Sequence, residues 1–173
     1  MKSTSLSAIF LFLAIAQISA QTDTLTPVWV SYIANASLSC RDVHSDCAGN
    51  VIYVGGTGAT GFQGTPGTLH PSYLGGNSDA FVVKVDPSGH VLWATLLGGN
   101  QYDRAYAVEV DSAGFIYVAG RAGNGFQTTE CALQKTFAGD LDLNPAYGVQ
   151  DGFVAKITPD AKQLVWATYI GDT

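Results

Sequence analysis

The chain has 173 residues, of which only 13% are charged, with a formal net charge of −6 and 20 glycines. That charged fraction is about half the globular average of roughly 25%, and Arg41, Lys84, Arg104, Arg121, Lys135, Lys156 and Lys162 stand singly along the sequence. Cations so dispersed form no stripe for nucleic acid or an anionic membrane, which excludes those partners; few charges and many glycines suit short buried strands joined by tight turns.

At the N-terminus, Lys2 precedes an apolar run from Ala8 to Ala16, followed by Gln17-Ile18-Ser19-Ala20. A positive start, a short apolar core and a closing small residue make residues 1–20 a secretory signal peptide. Cleavage is placed after Ala20; a cut after Ala16 has the better small-residue pattern but leaves a cramped apolar core. The run is too short to span a bilayer and no second stretch approaches that length. The mature chain, 21–173, is therefore expected to be secreted or at the cell surface, with no transmembrane segment. Asn35-Ala36-Ser37 is a glycosylation sequon, meaningful only in a host that glycosylates secreted proteins. In an oxidising compartment Cys40 and Cys47 are a candidate disulfide across a strand and its following turn, which leaves Cys131 unpaired.

From residue 28 onward one pattern recurs. VWVSY (28–32), VLWATLLGG (91–99) and VWATYIGDT (165–173) are three copies of one strand. Between them DCAGNVIYVGG (46–56) matches DSAGFIYVAG (111–120), GFQGTPGTL (61–69) matches GFQTTECAL (125–133), and SDAFVVKVDPSG (78–89) matches QDGFVAKITPDA (150–161). A repeat of this length implies small units that bury their faces on one another. Within each unit the apolar residues alternate: Phe81, Val83 and Val85 with Val82 and Lys84, then Phe153, Ala155 and Ile157 with Val154 and Lys156. Period two is strand periodicity. Asp86-Pro87-Ser88-Gly89 and Asp111-Ser112-Ala113-Gly114 are turns, each ending on a residue free to take positive φ.

In chain order the predicted strands are 28–33, standing alone, then 38–43, 50–57, 80–86 and 90–97, then 104–110, 115–121, 152–158 and 163–170. The fold class is all-β: two four-stranded antiparallel propeller blades, spanning about 34–97 and 100–170, plus one extra N-terminal strand. Long Gly/Thr/Pro loops, 58–78 and 122–151, join the second and third strands of each unit.

These residues resemble the bacterial seven-bladed propeller repeat, the SBBP repeat. The likeness lies in Trp93–Gly99, Asp111–Gly120 and Asp79–Gly89, and covers nearly all of 28–173. Cys47 and Ile52 depart from the pattern, and 140–149 adds residues to the second loop. The resemblance implies an exported or surface scaffold more than an activity. Two blades do not close a ring, since propellers need about four or more. The chain is therefore read as an incomplete propeller, with further blades supplied by a longer chain or by self-assembly.

Candidate sites are few. Gly56 to Gly61 fits GxGxxG, but Phe62-Gln63-Gly64-Thr65-Pro66-Gly67 will not start the helix that dinucleotide binding requires, so no cofactor is expected. Asp140, Asp142 and Asn144 have the alternating oxygen spacing of a calcium loop, and Asp151 could add a carboxylate, although Pro145 replaces the turn glycine. His44, His70 and His90 are isolated and no GxSxG elbow exists, so no catalytic residue is assigned. Trp29, Trp93 and Trp166 read as blade packing, whereas Phe62, Tyr73, Phe126 and Tyr147 are the loop aromatics placed to meet a ligand.

The expectation is an exported, non-enzymatic scaffold that binds a protein or glycan. The alternative is part of a secreted carbohydrate-active enzyme or lectin whose active residues lie in other blades.

Overall fold

The computed structural model describes residues 38–58, 62–139 and 147–171. The expected strand at 28–33, the signal peptide and the Asn35 sequon lie outside them. Eight strands follow in order: β1 (Leu38–Ser45), β2 (Val51–Thr57), β3 (Asp79–Val85), β4 (Val91–Leu97), β5 (Arg104–Val110), β6 (Ile116–Ala122), β7 (Asp151–Ile157) and β8 (Leu164–Ile170). They form two antiparallel sheets, β1-β2-β3-β4 and β5-β6-β7-β8, each in sequence order. Among the described residues there is no helix.

The hairpins form where the sequence places an aspartate ahead of a glycine. The Asp46 carboxylate accepts the N–H groups of Ala48 and Asn50, both at 2.9 Å, while Gly49 takes φ 79°. Asp111 does the same with Ala113 and Phe115, and Asp86 with Ser88 and His90. A side-chain acceptor that reads two backbone donors closes the turn before the strands pair.

Those turns also set the register. Matching the two YV dipeptides would require a gap and would superpose Tyr53 on Tyr117. The structure allows none: Gly55 pairs with Phe81 and Gly120 with Phe153, so Gly55 is the counterpart of Gly120 and Ile52 that of Tyr117. Tyr53 and Tyr117 thus point to opposite faces, because a slip of one residue inverts a strand.

The sheets pack face to face. Ile52, Val54, Ala80, Val82 and Trp93 of the first meet Ile116, Val118, Phe153, Ala155 and Ile157 of the second in one buried cluster. On its other face the first sheet buries Phe81, Val83, Val85 and Leu96 with Phe62. The Trp93 indole N–H donates to Pro159 O at 3.1 Å, Leu69 N to Ala161 O at 2.8 Å and Val108 N to Asp42 Oδ2 at 2.9 Å, all across the sheet-to-sheet seam. β5 packs directly on β1, β2 and β3. The first strands of the two sheets therefore lie side by side, like the inner edges of adjacent blades.

Glycine is required at an equivalent strand position in each sheet, Gly55 in β2 and Gly120 in β6. A Cβ on Gly120 would stand 2.1 Å from Arg104 O and 2.7 Å from Phe153 Cε1, and one on Gly55 2.0 Å from Ser39 O. Gly58 has open space around it. Gly120→Ala is expected to cost about 3 kcal/mol, at the upper end for overpacking, and Gly58→Ala less than about 0.5 kcal/mol; urea denaturation of the two variants measures the difference.

Candidate functional site

The long loops, where function was expected, are fixed to the sheets in the same way in both repeats. Thr65 N donates to Ala94 O and Ala94 N to Thr65 Oγ1; Thr129 N donates to Ala167 O and Ala167 N to Thr129 Oγ1. Further along, Leu96 N reaches His70 O and Tyr169 N reaches Gln134 O. The loops thus satisfy the otherwise unpaired edges of β4 and β8. Their phenylalanines turn inward: Phe62 and Phe126 are each only 5% exposed and lie against Phe81 and Phe153 at ring distances of 5.5 and 4.4 Å. The expectation that they meet a ligand is corrected, since a large apolar ring at a loop anchored on both sides gains more from the core. Of the other two loop aromatics, Tyr73 is half-buried with its hydroxyl donating to Gly76 O, and Tyr147 is exposed.

Three carboxylates anchor the strand starts. Asp151 accepts Ala138 N and Gly139 N at 2.8 and 2.9 Å and Gln134 Nε2 at 3.2 Å, so its oxygens already hold the loop. The other members of the calcium set, Asp140, Asp142 and Asn144, lie outside the described residues. Asp79, the counterpart of Asp151, accepts Leu74 N at 2.6 Å, but its Oδ1 is buried without a partner. Asp103 accepts Gly99 N and Gly123 N. A Cβ on Gly98 would touch both Asp79 Oδ1 and Asp103 Oδ2, which brings the two carboxylates around one α-carbon.

Burial pushes Asp79 up to about 7; the Asp103 charge adds to this and the Leu74 N–H opposes it. Burial likewise raises Asp103 to about 6, against its two backbone donors. Asp46 goes the other way, to about 2: hydrogen bonds from Asn50 and Lys84 outweigh its desolvation, and Lys84 Nζ lies 2.9 Å away.

The expected bridge between Cys40 and Cys47 is not formed, and all three cysteines are free, exposed thiols. Cys40 lies near the start of β1 and Cys47 beyond its end. An extended strand rising about 3.3 Å per residue carries the two sulfurs well past disulfide range. The histidines stay apart, His44 on Glu109, His70 on Gln127 and His90 on Asp86.

Sequence reading missed a cluster at the inner strands. The arginines that stand singly in the sequence, Arg41, Arg104 and Arg121, converge in space. Arg104 and Arg121 are directly paired across β5 and β6. Arg41 and Tyr106 each sit at the bulge of their strand, β1 and β5, and stack with the guanidinium 5.6 Å from the ring centre; Arg121 lies 5.8 Å from the same ring. Arg104 stands 5.3 Å from the ring of Tyr102. No short-range signal marks this group, because it is assembled by the bulges and by the packing of one sheet on the next.

Residues 92–127 match the family model of the SBBP beta-propeller repeat. No curated protein matches the chain. The matched segment starts in β4, crosses the seam and ends just after β6. The SBBP unit is therefore offset by one strand from the sheets, and it includes Arg104, Arg121 and both of their tyrosines.

A group with a raised carboxyl pKa holds its proton more tightly when folded, so its stabilisation is full below the unfolded value and is lost as pH rises through the folded one. For Asp79 and Asp103 that window runs from about 4 to 7, whereas Asp46 loses its contribution as pH falls from about 4 towards 2. Thermal melting is expected to peak near the acidic end of the first window and to decline towards pH 8. Asp79→Asn should remove most of that decline; an unchanged slope in the variant would reject the assignment.

Proposed function

We propose that this chain is part of an exported, non-enzymatic β-propeller scaffold that works at the cell surface or beyond it, binding a ligand on surfaces set between blades. The observation that carries this reading is the repetition of a mating face. In the first sheet that face is Ile52, Val54, Val82, Lys84, Trp93 and Leu97, and the second sheet covers it. Its counterpart in the second sheet is Tyr117, Ala119, Val154, Lys156, Trp166 and Ile170, by the pairing of each strand.

The same chemistry is present there, and no other described sheet covers it. Leu97 is 3% exposed and Ile170 55%. Trp166 stacks on Tyr117 at 6.2 Å, but its indole N–H makes no hydrogen bond among the described residues, where that of Trp93 meets the Pro159 carbonyl of the neighbouring sheet. Lys156 is held by Tyr117 and Asp111 as Lys84 is held by Asp46. A face built for a neighbouring blade supports a larger ring, completed by further blades of the same chain or of other copies.

The protein isolated from its native source is expected to begin at Gln21 and to form a particle of at least about four blades, read by denaturing mass spectrometry with light scattering of the native form. A stable monomer containing two blades would overturn the propeller reading, and an N-terminus at Met1 would overturn export.

A further inference from the structure

We infer that the arginine cluster between the inner strands is a binding site for an oxyanion group, a carboxylate or a sulfate, of the scaffold's ligand. The inference deepens the scaffold reading by naming a ligand class, and it stands on charge and on unsatisfied hydrogen-bonding groups.

The charge comes first. In a chain of net charge −6, its three arginines gather within one cluster, and none of their guanidinium groups makes an ion pair or donates a hydrogen bond among the described residues. The acids beside them in sequence are committed elsewhere. Asp42 accepts Val43 N and Val108 N, Asp103 accepts Gly99 N and Gly123 N, and Glu109 meets His44. Like charges directly opposite on neighbouring strands destabilise a sheet, and here Arg104 faces Arg121 with no ion pair to either among the described residues. Arg41 and Arg121 are exposed, so an anion has access to their guanidinium edges.

The second observation is independent of charge. Among the described residues four buried side-chain polar atoms lack a partner, and three of them are Ser78 Oγ, Tyr102 Oη and Arg104 Nε. Ser78 is 4% exposed and Tyr102 6%, so both donors are largely withdrawn from bulk solvent beside the exposed Arg41 and Arg121. Ser78 and Tyr102 face each other in a parallel bridge, and a Cβ on Gly56 would meet both Arg104 Nε and Ser78 Oγ, at 2.6 and 2.9 Å. All three atoms are able to donate. An unsatisfied buried donor costs about 1–3 kcal/mol, and a set of donors beside unpaired guanidiniums matches the lone pairs of an oxyanion.

The position is composite. Where the second repeat has Arg104 and Arg121, the first has Ser39 and Gly56, by the pairing of β1 with β2 and β5 with β6. The small pair leaves room for Arg104 to lie over Gly56, so a single blade does not contain the site.

The test is an NMR titration of the full mature chain, following the arginine Nε–H resonances, with sodium sulfate and separately with a glucuronate oligosaccharide, at fixed ionic strength in chloride. At least one probe is expected to give a saturable shift of the Arg104 signal. Saturation by sulfate assigns a site for a free oxyanion, and saturation by the saccharide alone assigns a carboxylate carried on a sugar. Arg41→Gln and Arg121→Gln, both exposed and chosen to leave the fold intact, should each weaken binding about tenfold or more, while Lys135→Gln, remote in the second loop, should not. Amide spectra outside the cluster verify folding. No saturable shift with either probe, equal binding of a neutral oligosaccharide, or affinity unchanged in the arginine variants overturns the inference. Because the readout is binding, it fails separately from the assembly reading.

Discussion

The first sheet is apolar on both faces, and that constraint organises the rest of the structure. A strand buried on one side alternates apolar with polar, but β3 buries Phe81, Val83 and Val85 on one side and Ala80 and Val82 on the other. A sheet of that composition is stable only between two layers. Close packing then leaves little room at the ladder, and Gly55 and Gly120 stand where the partner strand's carbonyl and a phenylalanine ring meet the backbone. The hairpin aspartates fix the register that this packing demands, and the loops complete it by pairing with the outer strand of each sheet.

Much of this was legible in the sequence. Alternation and the Asp-to-Gly turns located all eight described strands to within two residues at either end. The limits of the reading have physical causes. Tyr53 and Tyr117 share a sequence motif yet face opposite ways, because hydrogen-bond register, not dipeptide identity, decides the face of a strand. Phe62 and Phe126 stand in Gly- and Thr-rich loops, and it is the long-range backbone pairing of those loops with β4 and β8 that turns the rings inward. The arginine cluster has no local signature at all: Arg41 and Tyr106 meet only because each occupies a bulge on neighbouring inner strands.

The polar interior follows one plan with two results. Asp79 and Asp151 occupy the same place at the head of the third strand and receive backbone N–H groups from their loops. Asp151 has donors for both oxygens, whereas Asp79 is left with a bare oxygen facing the Asp103 carboxylate around Gly98. The difference is a backbone donor from the loop: Gly139 N reaches Oδ1 of Asp151, beside Ala138 N and Gln134 Nε2 on Oδ2, and Oδ1 of Asp79 has no such donor among the described residues. Identical positions in a repeat thus acquire different electrostatic characters from residues outside the shared motif.

The one-strand offset between the SBBP unit and the sheet bears on how the two sheets are held together. A segment cut at the start of β4 carries the last strand of one sheet and the opening strands of the next, so it cannot close a sheet on its own. A full repeat counted from β4 runs on through β7, so it supplies the last strand of one sheet and the first three of the next. The chain therefore crosses the seam within one repeat unit, and the two sheets are joined by a covalent unit as well as by a packed face.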